Sequence, residues 1–306
     1  MTGRHAPVEP AQPAEPAPAP VGVQLLGPAE IRDLAQLLDI QPTKKLGQNF
    51  VIDANTVRRI VRVAGVSAET TVVEIGPGLG SLTLGLLETG ASVIAVEIDK
   101  RLAAQLPHTV AAAAPGVYEG ETPRLTIVTA DAMQVTELPG KPTVLVANLP
   151  YNISVPVLLH FMETFRGIRA GVVMVQSEVG QRLAAVPGSK IYGSPSVKAS
   201  WYGAWKTSGQ VSRQVFWPVP NVDSILVSFS LRDDEIGSEG ERLATFALVD
   251  AAFQQRRKML RQSLSGVLGS SAAASARLEA AGIAPTARGE ELTVHDFLAV
   301  ARASSA

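Results

Sequence analysis

The apolar positions of this chain predict strands that alternate with helices. Short apolar runs bounded by glycine, proline or polar residues are typical of buried strands, whereas apolar residues spaced three or four apart are typical of helices. The predicted strands lie at residues 71–75, 92–98, 125–129, 144–147 and 170–175, with helical segments after the first, second and fourth. This alternation predicts a mostly parallel sheet covered by helices on both faces.

The two ends of the chain have a different character. Residues 1–27 are rich in proline, alanine and glutamate, a composition that predicts a disordered tail. Residues 197–205 and 225–231 read as late strands that form a hairpin at one sheet edge. Everything beyond an acidic segment at 232–241, a possible hinge, reads as helical. We therefore predict a catalytic domain over residues 28–231 and a small α-helical domain over 232–306.

Composition narrows the class of protein. The chain has 306 residues, of which 46% are hydrophobic and 18% charged, which is typical of a globular protein. It has no cysteine, so disulfides, thiolate zinc sites and a cysteine nucleophile are excluded, and its four histidines show no ligand spacing. We expect no metal site. The chain lacks both a membrane-length apolar run and a secretory signal, which predicts a cytoplasmic protein without a membrane partner.

The formal net charge of −1 means that any nucleic-acid binding depends on local basic patches. Two such clusters occur. The first includes Arg182, Lys190 and Lys198, and the second is Arg256, Arg257, Lys258 and Arg261. Charged runs are often only the solvated faces of helices, and composition alone leaves both interpretations open.

Candidate ligand-binding residues follow the predicted strands. The first strand leads into a glycine-rich turn, Gly76-Pro77-Gly78-Leu79-Gly80, and glycines there allow close backbone approach to a ligand at a helix N-terminus. Glu97, Asp131 and Asn148 end or follow the next three strands. Because ligands bind at the carboxyl ends of parallel strands, this ordered set predicts a nucleoside cofactor. Helix capping is the alternative for the two acids. A nicotinamide-dinucleotide fold is disfavoured because Ser81 stands where its fingerprint requires glycine or alanine.

The segment Asn148-Leu149-Pro150-Tyr151 carries the most specific chemistry. An asparagine side chain offers both a carbonyl acceptor and amide donors. Pro150 stiffens the turn and has no amide hydrogen, and Tyr151 adds a flat apolar face. Acceptors beside an aromatic ring suit an exocyclic amine on a planar base.

The order of the glycine-rich turn, Glu97, Asp131 and Asn148 along the chain resembles that of the class I methyltransferases that use S-adenosylmethionine. More narrowly, the chain resembles the small-subunit ribosomal RNA adenine N6,N6-dimethyltransferases, the RsmA/KsgA family. The resemblance covers about residue 28 to the end and rests on four motifs in order: Lys45–Phe50, Asn148–Ser154, Phe216–Ser224 and Arg256–Arg261. It implies a Rossmann-like, seven-stranded, mostly parallel sheet with a small C-terminal helical domain.

The resemblance also implies roles for individual residues. Those expected at the cofactor are Gln48, Asn49, Val51, Gly76, Gly78, Glu97, Ile98, Asp131, Ala132 and Asn148. Val51 replaces the leucine that is usual in the family, which a backbone contact would tolerate. The target base would lie against Asn148, Leu149, Pro150 and Tyr151, with Phe216 facing Tyr151 across it. Core packing is the alternative for Phe216.

The implied reaction is N6,N6-dimethylation of two adjacent adenosines in the 3′-terminal hairpin loop of small-subunit rRNA, late in 30S assembly, by a monomer that binds the immature subunit. The Asn148 side-chain oxygen and the Leu149 carbonyl would accept the amine hydrogens, so catalysis would rest on orientation rather than on a general base. Two alternatives remain open: a large-subunit rRNA dimethyltransferase of the macrolide-resistance type, and an assembly-checkpoint binding factor with secondary catalysis. The insertion at 115–122 receives no role.

Overall fold

The computed structural model describes residues 22–40, 49–118, 123–150 and 153–303. Within these ranges the chain forms nine strands and twelve α-helices. The strands are β1 Phe50–Val51, β2 Thr71–Ile75, β3 Ser92–Glu97, β4 Leu125–Thr129, β5 Val144–Asn148, β6 Ala170–Gln176, β7 Gly203–Val211, β8 Phe216–Trp217 and β9 Ser224–Leu231. The helices are α1 Pro28–Leu37, α2 Ala54–Ala64, α3 Ser81–Glu88, α4 Lys100–Ala113, α5 Ser154–Thr164, α6 Ser177–Leu183, α7 Ser194–Tyr202, α8 Glu239–Gln254, α9 Leu260–Ser263, α10 Ser265–Leu268, α11 Ser271–Ala280 and α12 Val294–Arg302.

Seven of these strands form one sheet in the order β4-β3-β2-β5-β6-β9-β7, and β1 pairs with β8 in a separate two-stranded ribbon. Strands β4, β3, β2, β5 and β6 pair in parallel, and β9 runs antiparallel to both β6 and β7. The predicted α/β fold with a mostly parallel seven-stranded sheet is confirmed.

The register of the central strands brings the candidate residues together at the carboxyl ends of these strands. Ile75, the last residue of β2, lies opposite Val96 of β3 on one side and opposite Ala147 of β5 on the other. Gly76, Glu97 and Asn148 come one residue later on each strand. β3 lies beside β2 on one side and β5 lies beside it on the other, so the strand order reverses at β2. Open α/β sheets bind ligands at such a reversal, in the crevice outside the carboxyl ends of the strands.

Two hydrophobic cores cover the two faces of the sheet. One packs α1–α4 against the sheet and includes Ile60, Leu84 and Leu106. The other packs α5 and α7 against the opposite face and continues without interruption into the C-terminal helices, where Leu248 and Phe297 belong to the same buried cluster. Burial of apolar side chains on both faces explains why the strand sequences are apolar runs rather than alternating patterns.

Specific contacts as well as this core join the C-terminal region to the rest of the chain. Tyr192 donates a hydrogen bond of 2.9 Å to the carbonyl of Leu292. In the 232–241 segment, Arg232 donates to the carbonyl of Ser200 at 2.7 Å, and Ser238 caps α8. Arg166 forms an ion pair with Glu235, also in this segment. The division at residue 231 stays a prediction, and the segment proposed as a hinge has fixed contacts on both sides.

Two expectations about secondary structure were wrong. The predicted late strand at 197–205 is mostly helical: residues 197–202 belong to α7, and only residues 203–205 belong to β7. The predicted disordered tail, residues 1–27, includes residues that pack against the fold. Leu26 is buried, and the amide of Gln24 donates to the carbonyl of Ala113 at 2.8 Å. Residues 1–21 lie outside the described ranges.

Among the described residues, every helix is too short or too polar to cross a membrane. The same residues contain no group of three or more His, Asp or Glu side chains arranged to hold a metal ion.

Candidate active site

A cavity of about 460 Å³ opens at the carboxyl ends of β2, β3 and β5. Its volume is in the range of small-molecule and cofactor sites. All the residues predicted at the cofactor line this cavity, apart from Gln48, which lies outside the described residues: Asn49, Val51, Gly76, Gly78, Glu97, Ile98, Asp131, Ala132 and Asn148. Leu149 and Pro150 line it as well.

The glycine-rich turn forms one wall of the cavity. Gly76, Gly78 and Gly80 all have positive φ angles, of 69°, 58° and 99°, which only glycine adopts readily. A Cβ atom on Gly76 would meet no protein atom within 4 Å, so its space opens toward the cavity. A Cβ on Gly78 would come within 3.0 Å of the Phe50 ring. The turn therefore leaves room for a ligand on one side while packing tightly on the other.

Glu97 connects the end of β3 to this turn. Its carboxylate accepts hydrogen bonds from the backbone amides of Gly78, at 3.1 Å, and Asp99, at 2.9 Å. Only 5% of the residue is exposed, and burial raises the pKa of the carboxyl group, against the opposing effect of these two amides. Each carboxylate oxygen has two lone pairs, so the Glu97 carboxylate can accept hydrogen bonds from a pair of hydroxyl groups besides those from the two amides.

Glu74 is a second buried acid in the cavity wall, and sequence reasoning assigned it no role. The hydroxyl of Thr83 donates to one of its oxygens at 2.6 Å. The other oxygen, Oε1, has no hydrogen-bond partner in the part of the chain that the structure describes. Burial, with a further contribution from the nearby Glu97 charge, raises the pKa of Glu74 from its ordinary value of 4.5 to about 8. At neutral pH the carboxyl group therefore carries a proton in most molecules.

Asn148 has a fixed side-chain orientation at the end of β5. Its Nδ2 atom donates a hydrogen bond of 2.9 Å to the backbone carbonyl of Asn49, 99 residues away in sequence. Because the amino end of the amide is held in this way, the opposite end is the carbonyl oxygen Oδ1, an acceptor. The next residue, Leu149, continues the strand by donating its amide to the carbonyl of Met174 at 3.1 Å.

The segment Asn49–Val51, which we call the strap, forms another part of the cavity wall. Besides the contact of Asn49 with Asn148, the carbonyl of Val51 accepts a buried hydrogen bond of 2.7 Å from the hydroxyl of Ser81. The strap pairs with β8, so that Phe50 lies opposite Trp217 and Val51 opposite Phe216. Sequence reasoning missed Phe50 and Ser81 as cavity residues, although both stood in or next to motifs that it used.

The predicted role of Phe216 disagrees with its position. The residue is only 1% exposed, belongs to the core formed with α1–α4, and is not part of the cavity wall. The antiparallel β1–β8 ribbon sets this orientation, because Trp217 and Phe216 must point to opposite faces. In this structure Phe216 supports the strap instead of presenting a ring to a base. Its predicted partner, Tyr151, lies outside the described residues.

Comparison with known proteins assigns the family. The sequence profile of the ribosomal RNA adenine dimethylase family matches residues 41–304. The chain belongs to this family. A protein of Leifsonia xyli named ribosomal RNA small subunit methyltransferase A is 68% identical over 279 residues, covering 91% of this chain and 98% of the relative. A protein of the same name from Streptomyces griseus is 61% identical, covering 90% and 94% respectively.

Two solved structures share the fold of this dimethylase. A dimethyladenosine transferase from Plasmodium falciparum has a TM-score of 0.69 and 22% identity, and covers 82% of this chain and 95% of its own. The 23S rRNA methyltransferase ErmE has a TM-score of 0.61 and 24% identity, and covers 83% and 98%. At these identities the likeness concerns the fold alone.

As a family member the dimethylase is a methyltransferase that uses S-adenosylmethionine and acts on rRNA, as predicted. The cavity residues fit this cofactor. The open space at Gly76 accommodates a ligand close to the backbone. The wall also includes the acidic residues Glu97, Asp99 and Asp131, which suit a cationic sulfonium compound. When bound, S-adenosylmethionine supplies a methyl group on a positively charged sulfur.

The predicted RNA-binding residues of the dimethylase fall into two groups. Lys190, Arg256, Arg257 and Lys258, which we call the junction patch, lie where the 184–193 loop meets the C-terminal helices, since Arg256 donates to the Lys190 carbonyl at 2.6 Å. Arg256 also pairs with Glu290, and the other three patch residues are exposed.

The remaining residues have other surroundings. Lys198 pairs with Asp250 at 2.7 Å and its side chain is only 18% exposed, so its charge is satisfied internally. Arg182 pairs with Glu178 on the surface of α6, and Arg261 is half-buried.

Proposed function

We propose that this enzyme methylates N6 of two adjacent adenosines in the 3′-terminal hairpin loop of small-subunit rRNA, twice each, late in 30S assembly. Support for the small subunit comes from the names of relatives that are 61–68% identical over about nine-tenths of the chain. Support for amine chemistry comes from one observation above all: the fixed amide of Asn148 at the edge of the cavity.

In the proposed site the ends of the strands hold different parts of the cofactor. Glu97 would accept the ribose hydroxyls, because its carboxylate is anchored by two backbone amides and the residue lines the cavity. Asp131 and the backbone near Ala132 would bind the adenine ring, with Ile98 against its face. The strap and the turn at Gly76 would enclose the amino-acid part.

Asn148 would orient the target amine. The N6 nitrogen of adenosine is a poor nucleophile because its lone pair is delocalised into the ring. Oδ1 of Asn148 and the carbonyl of Leu149 would accept its two hydrogens, which favours a tetrahedral nitrogen with the lone pair aimed at the methyl group. The proton leaves after the new N–C bond has formed, when it is acidic, so no general base is required. The second transfer starts from an amine with one hydrogen, and the site must then admit the first methyl group.

The target base would have to leave its stack to reach Asn148. Tyr151 is proposed to stack on the extruded base, a contact typically worth about 1–3 kcal/mol. The junction patch would contact rRNA phosphates without reading sequence. We also propose that the enzyme acts as a cytoplasmic monomer on immature 30S subunits, with residues 232–306 forming a helical domain that contacts the ribosome.

Isolated ribosomal subunits test the substrate. Small and large subunits from a strain lacking this protein are incubated with the pure enzyme and labelled cofactor, and methylated positions are located by primer extension. We expect dimethyladenosine at two adjacent positions of small-subunit rRNA only. Methylation confined to the large subunit would instead support the macrolide-resistance type. Stable binding to immature small subunits without methylation would support the assembly-checkpoint alternative.

A further inference from the structure

We propose that Ser81 is a positioning residue for methyl transfer: its hydroxyl fixes the strap, and through the strap it fixes the amide of Asn148. This inference rests on the proposed role of Asn148. Ser81 touches neither Asn148 nor, in our proposal, the target amine, and its effect is carried by the backbone of residues 49–51.

The first support is the contact itself. Oγ of Ser81 donates to the carbonyl of Val51 at 2.7 Å, and both residues are buried, with 7% and 3% of their surfaces exposed. Ser81 is the first residue of α3, but Gly80 occupies the N-cap position, so the hydroxyl is not used to cap its own helix. The hydrogen bond joins elements 30 residues apart and spans from the glycine-rich turn to the strap.

The second support is the arrangement of the strap's carbonyls. Along an extended segment, groups two residues apart point to the same side. The carbonyl of Asn49 accepts from Asn148 and that of Val51 accepts from Ser81. On its other side the strap is held by the ribbon with β8, which the amide of Ile52 extends by donating to the carbonyl of Val215 at 2.8 Å. Ser81 and Asn148 therefore hold neighbouring points of the same short backbone segment.

Loss of the Ser81 hydroxyl would leave a buried carbonyl without its donor. An unpartnered buried acceptor is costly, so the strap would shift to find another partner. A shift of Val51 moves Asn49, whose carbonyl determines which way the Asn148 amide faces. Transfer to an oriented amine is sensitive to displacements below 1 Å, so the rate should fall even when the cofactor is bound.

The test compares the variants S81A and S196A in the full-length enzyme. Ser196 is the matched control because it is 1% exposed and its hydroxyl donates to the carbonyl of Arg182 and accepts from the amide of Gly193, outside the cavity wall. S196A loses two hydrogen bonds and S81A one, so the control should lose at least as much thermal stability. The measurements are the single-turnover methylation rate of undermethylated small subunits at saturating cofactor, the cofactor Kd and the melting temperature.

We expect S81A to lower the methylation rate about tenfold, equivalent to about 1.4 kcal/mol of barrier, while the cofactor Kd changes less than about threefold. S196A should keep the rate within about twofold of wild type. The inference is overturned if S81A slows transfer no more than S196A does, or if it weakens cofactor binding alone. The variant N148A separates the two proposals. If N148A methylates at the wild-type rate, the proposed function of Asn148 is wrong. If N148A is inactive but S81A methylates at the wild-type rate, only the proposed role of Ser81 is wrong.

Discussion

Oε2 of Glu97 accepts a hydrogen bond of 3.1 Å from the backbone amide of Gly78. This contact links the end of β3 to the glycine-rich turn after β2, so the proposed ribose-binding acid also shapes the loop proposed to bind the rest of the cofactor. The other oxygen accepts from the amide of Asp99. Each of the two side-chain oxygens of Glu97 therefore accepts a hydrogen bond from a backbone amide.

The variant Glu97→Gln should weaken both cofactor binding and stability. A glutamine amide has one acceptor and one donor end, so one of the two backbone amides would face an NH₂ group. We expect a loss of about 1–3 kcal/mol in the free energy of unfolding. The cofactor Kd should rise at least about tenfold, measured by calorimetry. Glu88→Gln, at an exposed ion pair with Arg58, is the control and should change neither. A wild-type Kd for Glu97→Gln would refute the ribose assignment.

Glu74 predicts an unusual dependence of stability on pH. Its pKa is about 8 in the folded protein against an ordinary value of 4.5, so the folded state binds the proton more tightly than the unfolded state. Its contribution to stability is fully present below about 4.5 and is lost as the pH rises toward 8, at on the order of 1 kcal/mol per pH unit. In urea unfolding from pH 5 to pH 9, the free energy of unfolding of Glu74→Gln should rise relative to that of the wild type as the pH increases. If the difference in unfolding free energy between the two proteins stays constant from pH 5 to pH 9, Glu74 is already ionised at pH 5 and this prediction is wrong.

Phe216 gives a direct test of the corrected assignment. Truncation of a fully buried phenylalanine costs about 3–5 kcal/mol, so Phe216→Ala should unfold at a much lower denaturant concentration than wild type. Phe216→Leu should recover most of this loss and most of the methylation rate. If Phe216→Ala instead keeps wild-type stability and fails only to capture rRNA, the original prediction of a ring against the base is correct.

The junction patch predicts the salt dependence of rRNA binding. Replacing Lys190, Arg257 or Lys258 with alanine should weaken binding and reduce the slope of log K against log salt by about 0.7–0.9 per residue. Lys141→Ala is the control, because this exposed lysine precedes β5 at the amino end of the strands, away from the cavity. An unchanged slope in the three variants would place the phosphate contacts elsewhere.

The parallel strands and their functional ends could be predicted from the sequence because both signals are local. A run such as Val144–Ala147 between prolines has few alternatives to a buried strand, and the register of the sheet then fixes where Asn148 lies. Helix α7 was missed because Val197, Ala199 and Trp201 alternate with polar residues and imitate a strand. In the structure this helix is buried between the sheet and the C-terminal helices, so it does not show a one-sided apolar pattern.

The strap could not be predicted because it depends on contacts between distant parts of the chain. Val51 pairs with Phe216 only when two short segments meet, and that pairing decides which ring faces the core. The hydrogen bonds of Ser81 and Asn148 to the strap span 30 and 99 residues, and no local pattern encodes them. The family motifs placed Asn49, Val51 and Asn148 at the cavity correctly, but they did not indicate that Phe216 packs into the core.

The most direct test of the proposed function is the methylation state of rRNA in cells. A strain without this protein is complemented with the wild type or with Asn148→Ala, and small-subunit rRNA fragments are analysed by mass spectrometry. Wild type should restore two adjacent N6,N6-dimethyladenosines near the 3′ end, and a folded, cofactor-binding Asn148→Ala protein should restore neither. Dimethylation at the wild-type level with Asn148→Ala, or its persistence without the protein, would contradict the account.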